Sequence, residues 1–171
     1  ENHELGIGIH LTLVGGVKPL LPPEKITSLL DENGVFSSDY LQFIKKFAFG
    51  KVDRNEIKAE LSAQIERGLS TGLTITHFDS HQHLHVLPGL IDIVIELCKK
   101  YGIDKVRVPS ENITWMGGYS AGVGRIIGRL GLSICSELAR RKLKNAGIIF
   151  PDHFFGMLAG GNLNDTLVET I

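Results

Sequence analysis

The chain has little of what would mark a membrane, secreted or nucleic-acid-binding protein. Of its 171 residues only two are cysteine, too few for the disulfide framework that staples small secreted domains. Cys98 and Cys135 both sit in apolar helical patterns, IELCKK and LSICSEL. The expectation is buried, reduced thiols in a reducing, cytoplasmic setting. No apolar run approaches the ~20 residues of a membrane span, and the first residues carry no signal-peptide pattern. Lys and Arg number 18 against 19 Asp and Glu, for a net charge of -1. That balance offers no basic face for nucleic acid or an anionic bilayer. Internal repeats, low-complexity tracts and linkers are also missing. What remains, 43% apolar and 22% charged residues, is the composition of a globular protein. The length suits a single domain, 1–171, able to bury roughly two-thirds of its surface.

Periodicity supplies the element order. In LGIGIHLTL, Leu5–Leu13, strand alternation puts Ile7, Ile9, Leu11 and Leu13 on one face. Gly6, Gly8, His10 and Thr12 occupy the other, a bare face with a histidine in its middle. Glycine in a strand often marks the close approach of a ligand or another backbone. A Gly- and Pro-rich loop follows over 14–23, then helical segments at about 24–31 and 37–49. Asp53 and Glu56 have capping-box spacing ahead of a helix to Leu69, striped by Ile57, Leu61 and Ile65. LTITHFD, residues 73–79, is rich in β-branched residues and predicts a strand. A helix from Pro88 to Tyr101 stops at Gly102. Lys105–Val108 and Gly147–Phe150 read as short strands around a long helical region at 120–145. A last helix is expected to begin near Asn162 or Asn164. Strands alternating with helices predict an α/β fold with parallel strands and outer helices.

The densest chemistry is THFDSHQHLH, residues 76–85, where His77, Asp79, His81, His83 and His85 crowd together. All are odd-numbered, so an extended chain would aim them to one side, although the strand is expected to end near Asp79. Crowded imidazoles repel when protonated, and a divalent metal favours their neutral form. Asp79 is then either a ligand or the carboxylate that orients a ligating ring. His10 alone is a weaker signal, but neighbouring strands that both point histidines inward would let it meet the cluster. Arg107 at a strand end is a candidate substrate contact, as are Asp152 and His153 of PDHFFG; each is equally readable as a solvated surface residue. Trp115, with Met116, Gly117 and Gly118, could line a sugar site or simply fill core. Gly122, Gly124 and Gly128 lack the spacing of a phosphate loop.

GIGIHLTL followed by THFDSHQHLHVLPG resembles the YdjC-like carbohydrate deacetylases, the match continuing in order through the R-V-P at Arg107–Pro109. PDHFFG is most similar to the hopanoid-biosynthesis-associated branch of that family. The resemblance implies a (β/α) barrel-like fold and removal of the N-acetyl group from an acetylated amino sugar. It implies one divalent metal, Mg2+ or Zn2+, held by an aspartate with His10 and His81. Asp79, His77, His83 and His85 would form the surrounding pocket, with Asp79, His83 and His85 the catalytic candidates, while Arg107, Asp152 and His153 remain substrate-contact candidates from their placement alone. The family's Asp-Asp-Phe-Gly strand and its later His-Pro motif have no counterpart here, so a chain truncated at both ends and an incomplete barrel are expected. Two other readings compete: a barrel amidohydrolase or phosphoesterase with a binuclear site, and a non-catalytic metal- or sugar-binding module. A homo-oligomer is left open.

Overall fold

The computed structural model describes residues 5–110 and 123–154. Strand β1 (Ile7–Leu11) pairs in parallel with β2 (Ile75–Ser80), in a register that sets Gly8 beside His77 and His10 beside Asp79. Two further extended segments continue the arc. Phe78 N–H donates to Lys105 O (3.0 Å) and Arg107 N–H to Phe78 O (2.9 Å). Val106 N–H then donates to Ile149 O (3.0 Å) and Ile149 N–H to Asp104 O (2.8 Å). The four segments lie side by side in chain order, all parallel. Parallel neighbours need crossovers. Helices α1 (Tyr40–Ala48) and α2 (Arg54–Leu69) provide the first, α3 (Leu90–Tyr101) the second and α4 (Val123–Asn145) the third. This is the α/β architecture expected, with parallel strands and helices between them. Among the described residues no strand pairs with the far edge of β1. No helix among them is long and apolar enough to cross a membrane.

Helix α2 fixes the position of β1. Its Ile57, Leu61 and Ile65 are buried in the core with Leu11, Leu13 and Phe78. Gly68 allows the approach, since a Cβ there would lie 2.6 Å from Ile9 Cδ1. The helix also carries polar grips on this inward side. Glu60, fully buried, accepts from Leu20 N–H and Leu21 N–H (3.0 Å each) and from Gln64 Nε2 (2.9 Å). Gln64 in turn accepts from Thr12 N–H (2.9 Å) and donates to Thr12 O (2.7 Å). Two side chains one helical turn apart thereby hold the loop that leaves β1, directly beside His10.

Several expectations change in detail. Asp53 caps α2 by accepting from Asn55 N–H (2.7 Å), but Glu56 does not close the capping box. Glu56 accepts from the backbone N–H and hydroxyl of Ser28, whose hydroxyl oxygen accepts from Asp53 N–H (2.9 Å). A serine from another loop thus completes the cap. The helix expected at 24–31 is instead two 3-10 turns, Pro23–Lys25 and Thr27–Leu29. That expected at 37–49 begins only at Tyr40, because the Asp39 carboxylate caps it there. Gly102 stops α3 in the left-handed conformation (φ 68°), as expected. The bare face of β1 has a filler: a Cβ on Gly8 would fall 2.3 Å from His77 Nε2. The room that glycine makes is taken by the neighbouring strand's imidazole. The region around Trp115 to Gly118, Gly122 and the helix expected near Asn162 or Asn164 lie outside the described residues.

Candidate active site

Two adjacent parallel strands bring His10 and Asp79 into contact. The His10 Nδ1 lies 2.8 Å from Asp79 Oδ1, and since an ionised carboxylate only accepts, Nδ1 carries the proton. In the neutral imidazole this leaves the lone pair on Nε2. The other Asp79 oxygen, Oδ2, accepts from Arg107 Nη1 at 2.8 Å. Asp79 is buried at the bottom of this group, with its side chain 11% exposed, while that of His10 is 53% exposed. With both oxygens engaged, Asp79 orients the His10 ring.

Beyond Ser80 the odd-number rule fails. The chain turns into 3-10 geometry over His81–Val86, and Gln82 and His83 both take the left-handed conformation, with φ of 54° and 55°. For non-glycine residues this costs of order 1 kcal/mol or more each. The three histidines consequently diverge. His81 meets His10 edge-on, with ring centroids 5.7 Å apart. It also lies against Gly15, where a Cβ would come within 3.3 Å of its ring. His83 packs edge-on against Phe154 at 5.5 Å, and its Nδ1 is buried with no hydrogen-bond partner. Burial, then the nearby Arg107 charge, lowers the His83 pKa, so the ring is neutral at pH 7.

His85 goes into the interior. Its Nε2–H donates to Arg107 O (2.6 Å), and its Nδ1 accepts from the Ser80 hydroxyl (2.6 Å). The same hydroxyl oxygen accepts from His85 N–H (3.1 Å). Both ring nitrogens are thus spent on the protein and the side chain is fully buried. Through these contacts His85 ties the end of β2 to the segment at Arg107. Burial pushes its pKa down to about 4 from 6.5. Between those values the unfolded chain binds a proton that the folded chain refuses. Stability is therefore expected to fall as pH drops from 6.5 to about 4, by at most roughly 3 kcal/mol. Urea midpoints of the full-length protein across this range should show the fall, and His85→Gln should flatten it.

Asp152 and His153 are exposed, and the Asp152 carboxylate, 88% exposed, faces Arg140 of α4 at 3.6 Å. Phe154 of PDHFFG packs against His83 of the cluster. Among the described residues no three His, Cys, Asp or Glu side chains converge as a metal site. A cavity of about 590 Å³ lies beside His10 and His81, bounded also by Thr12, Gly15 and Gln64. Because Ile9 and His10 both line it from opposite faces of β1, it follows the strand's unpaired edge as well as the histidine face.

The family described as YdjC-like protein matches residues 1–171, the whole chain. The chain belongs to the YdjC-like family. Among its curated relatives, the carbohydrate deacetylase of Thermoanaerobacter pseudethanolicus is 40% identical over 106 residues, 62% of this chain and 40% of that protein. Carbohydrate deacetylase 1 of Listeria innocua is 41% identical over 103 residues, 60% of this chain and 39% of that one. A crystal structure of an Enterococcus faecalis protein, described as a cellobiose-phosphate cleavage protein, superposes with a TM-score of 0.59 at 28% identity. It covers 87% of this chain and 46% of its own. This YdjC-like chain thus spans about two-fifths of the length of the curated relatives it matches.

Some contributors to the YdjC-like site were not singled out from sequence. Ser80 lies inside the histidine motif yet gives no sign that it anchors His85. Glu60 and Gln64 carry a usable signal: two polar residues at i, i+4 on the flank of an apolar helical stripe.

Proposed function

We propose that the full-length protein is a metal-dependent carbohydrate N-deacetylase, and that the parallel arc is part of a (β/α) barrel-like fold. The family and the names of its relatives support sugar deacetylation. The observation that carries the metal assignment is the orientation of His10: Asp79 holds its Nδ1–H, leaving Nε2 with the lone pair. A carboxylate behind a ligating imidazole is a recurrent support for metal sites. His81 stands opposite at 5.7 Å, and two rings bound to one ion at ~2.0–2.1 Å have centres roughly 5 Å apart. The donor set fits part of a site for one Mg2+ or Zn2+. The aspartate that the family resemblance implies as third donor is not in an Asp-Asp-Phe-Gly motif of these residues.

When bound, such an ion supplies Lewis-acid polarisation of the amide carbonyl and a more acidic water. The residues of this chain hold and shape the surroundings. Asp79 fixes the His10 tautomer, and neutral His83 offers an imidazole whose buried nitrogen awaits a hydrogen-bonding partner. The opening beside His10 and His81 runs along the unpaired edge of β1 as well, and gives access to the histidine face. Thiol nucleophiles are poorly suited here: burial pushes Cys98 up to about 12 and raises Cys135 as well.

The test is acetate release from N-acetylglucosamine-containing oligosaccharides by the full-length protein. Release should stop on treatment with a chelator and return on addition of Mg2+ or Zn2+. Unchanged turnover in excess chelator would rule out the metal-dependent mechanism. Metal binding without acetate release from any N-acetylated sugar would favour a binding module.

A further inference from the structure

We infer that Arg107 is a positioning residue for His10, acting through Asp79, and that Ser80 and His85 lock Arg107 into that task. The inference rests on the proposed deacetylase reading for its catalytic consequence, though not for its geometry. An arginine at the end of a parallel segment is ordinarily available to substrate, the role the sequence suggested for it. Here its Nη1 lies 2.8 Å from Asp79 Oδ2, while Asp79 Oδ1 takes His10 Nδ1 at the same distance. A carboxylate bonded through one oxygen can still turn about its terminal torsion. Bonded through both, its plane is fixed, and so is the direction from which it holds the His10 proton. The His10 side chain is half exposed, so packing alone does not set its ring.

The backbone of Arg107 is gripped from the same strand. Its N–H donates to Phe78 O at 2.9 Å, and its carbonyl accepts from the fully buried His85 at 2.6 Å. His85 is held by Ser80, the residue after Asp79. Successive residues of β2 thus seize one neighbour at two points: Asp79 by its guanidinium, and Ser80, through His85, by its carbonyl. The left-handed pair Gln82 and His83 folds the chain back so that His85 can reach. The backbone of Arg107 and one of its guanidinium nitrogens are thus both held, while its side chain stays 43% exposed.

The experiment uses the full-length protein labelled with ¹⁵N-histidine, comparing wild type, Arg107→Gln and Arg107→Lys. In metal-free protein, wild-type His10 should show one tautomer, protonated at Nδ1. Arg107→Gln should mix the tautomers, and Arg107→Lys should restore part of the preference. Zn2+ affinity should fall about 10- to 100-fold in Arg107→Gln and less in Arg107→Lys. In activity, kcat should follow metal affinity while KM for the sugar is unchanged. If Arg107→Gln does not fold, Arg107→Met carries the same expectations. Wild-type tautomer and wild-type metal affinity with a raised KM would overturn the inference and return Arg107 to substrate contact. A wild-type protein that binds no Zn2+ would sink the metal reading alone, because the tautomer is measured without metal.

Discussion

Replacing His81 by alanine in the full-length protein is expected to remove bound metal and acetate release together. His81 opens the turn after β2 and presents its ring edge to His10, whose own orientation is set independently by Asp79. His81→Ala therefore deletes one proposed donor without disturbing the other. The ring also faces Gly15 rather than the packed interior, so little stability should be lost. Loss of the proposed ion would remove its stabilisation of charge developing on the amide oxygen, so kcat/KM should fall by at least ~10²- to 10³-fold. Metal content per chain after gel filtration, measured beside acetate release, checks both halves. His83→Ala is the informative partner. Its ring packs on Phe154, and it should keep the metal while losing rate. Full metal occupancy and normal turnover in His81→Ala would refute the assignment.

The second large effect concerns stability. Glu60→Ala strips the acceptor from Leu20 N–H, Leu21 N–H and Gln64 Nε2 in a position closed to solvent. Donors left without partners in the interior cost about 1–3 kcal/mol each. Gln64 Nε2 keeps its bond to Thr12 O, so the cost falls on the two partly buried amides, and a total of roughly 2 kcal/mol is expected. Glu60→Gln, which keeps one acceptor oxygen, should lose less. Urea unfolding of the full-length variants gives the difference. Amide exchange should show Leu20 and Leu21 opening first. The loop they belong to carries Gly15 and leads out of Thr12, so metal affinity should weaken with it. A midpoint within error of wild type would mean that the loop is held by something other than α2.

How far residues alone foretell this site depends on whether their periodicity survives into the fold. Strand alternation placed Gly8 and His10 on one face, and that face does meet Asp79 and His77 of the neighbouring strand. Helical spacing marked Ile57, Leu61 and Ile65 as core, and the left-handed stop at Gly102 was readable because glycine adopts it freely. Inside the histidine motif the same logic stops at Ser80. Gln82 and His83 take left-handed φ values with no glycine to announce them. Local preference argues against that conformation, and tertiary bonds such as Ser80 with His85 hold it. Side chains that alternation would send one way are therefore split among the site, the Phe154 contact and the interior. Glu56 shows a milder version: its capping-box spacing was real, yet Ser28 from a distant loop offered a competing partner. Glu60 shows in sequence only as an i, i+4 polar pair with Gln64, because the partners that bury it are backbone amides some forty residues away.

The central claim is that His10 and His81 hold a single divalent ion. X-ray absorption at the zinc edge of the full-length Zn2+-loaded protein tests it most directly. The account predicts one ion per chain with two imidazole ligands at ~2.0–2.1 Å, and no bound zinc in His81→Ala. A metal–metal vector at ~3.5–4 Å, or a wild-type spectrum with no imidazole scattering, would contradict it.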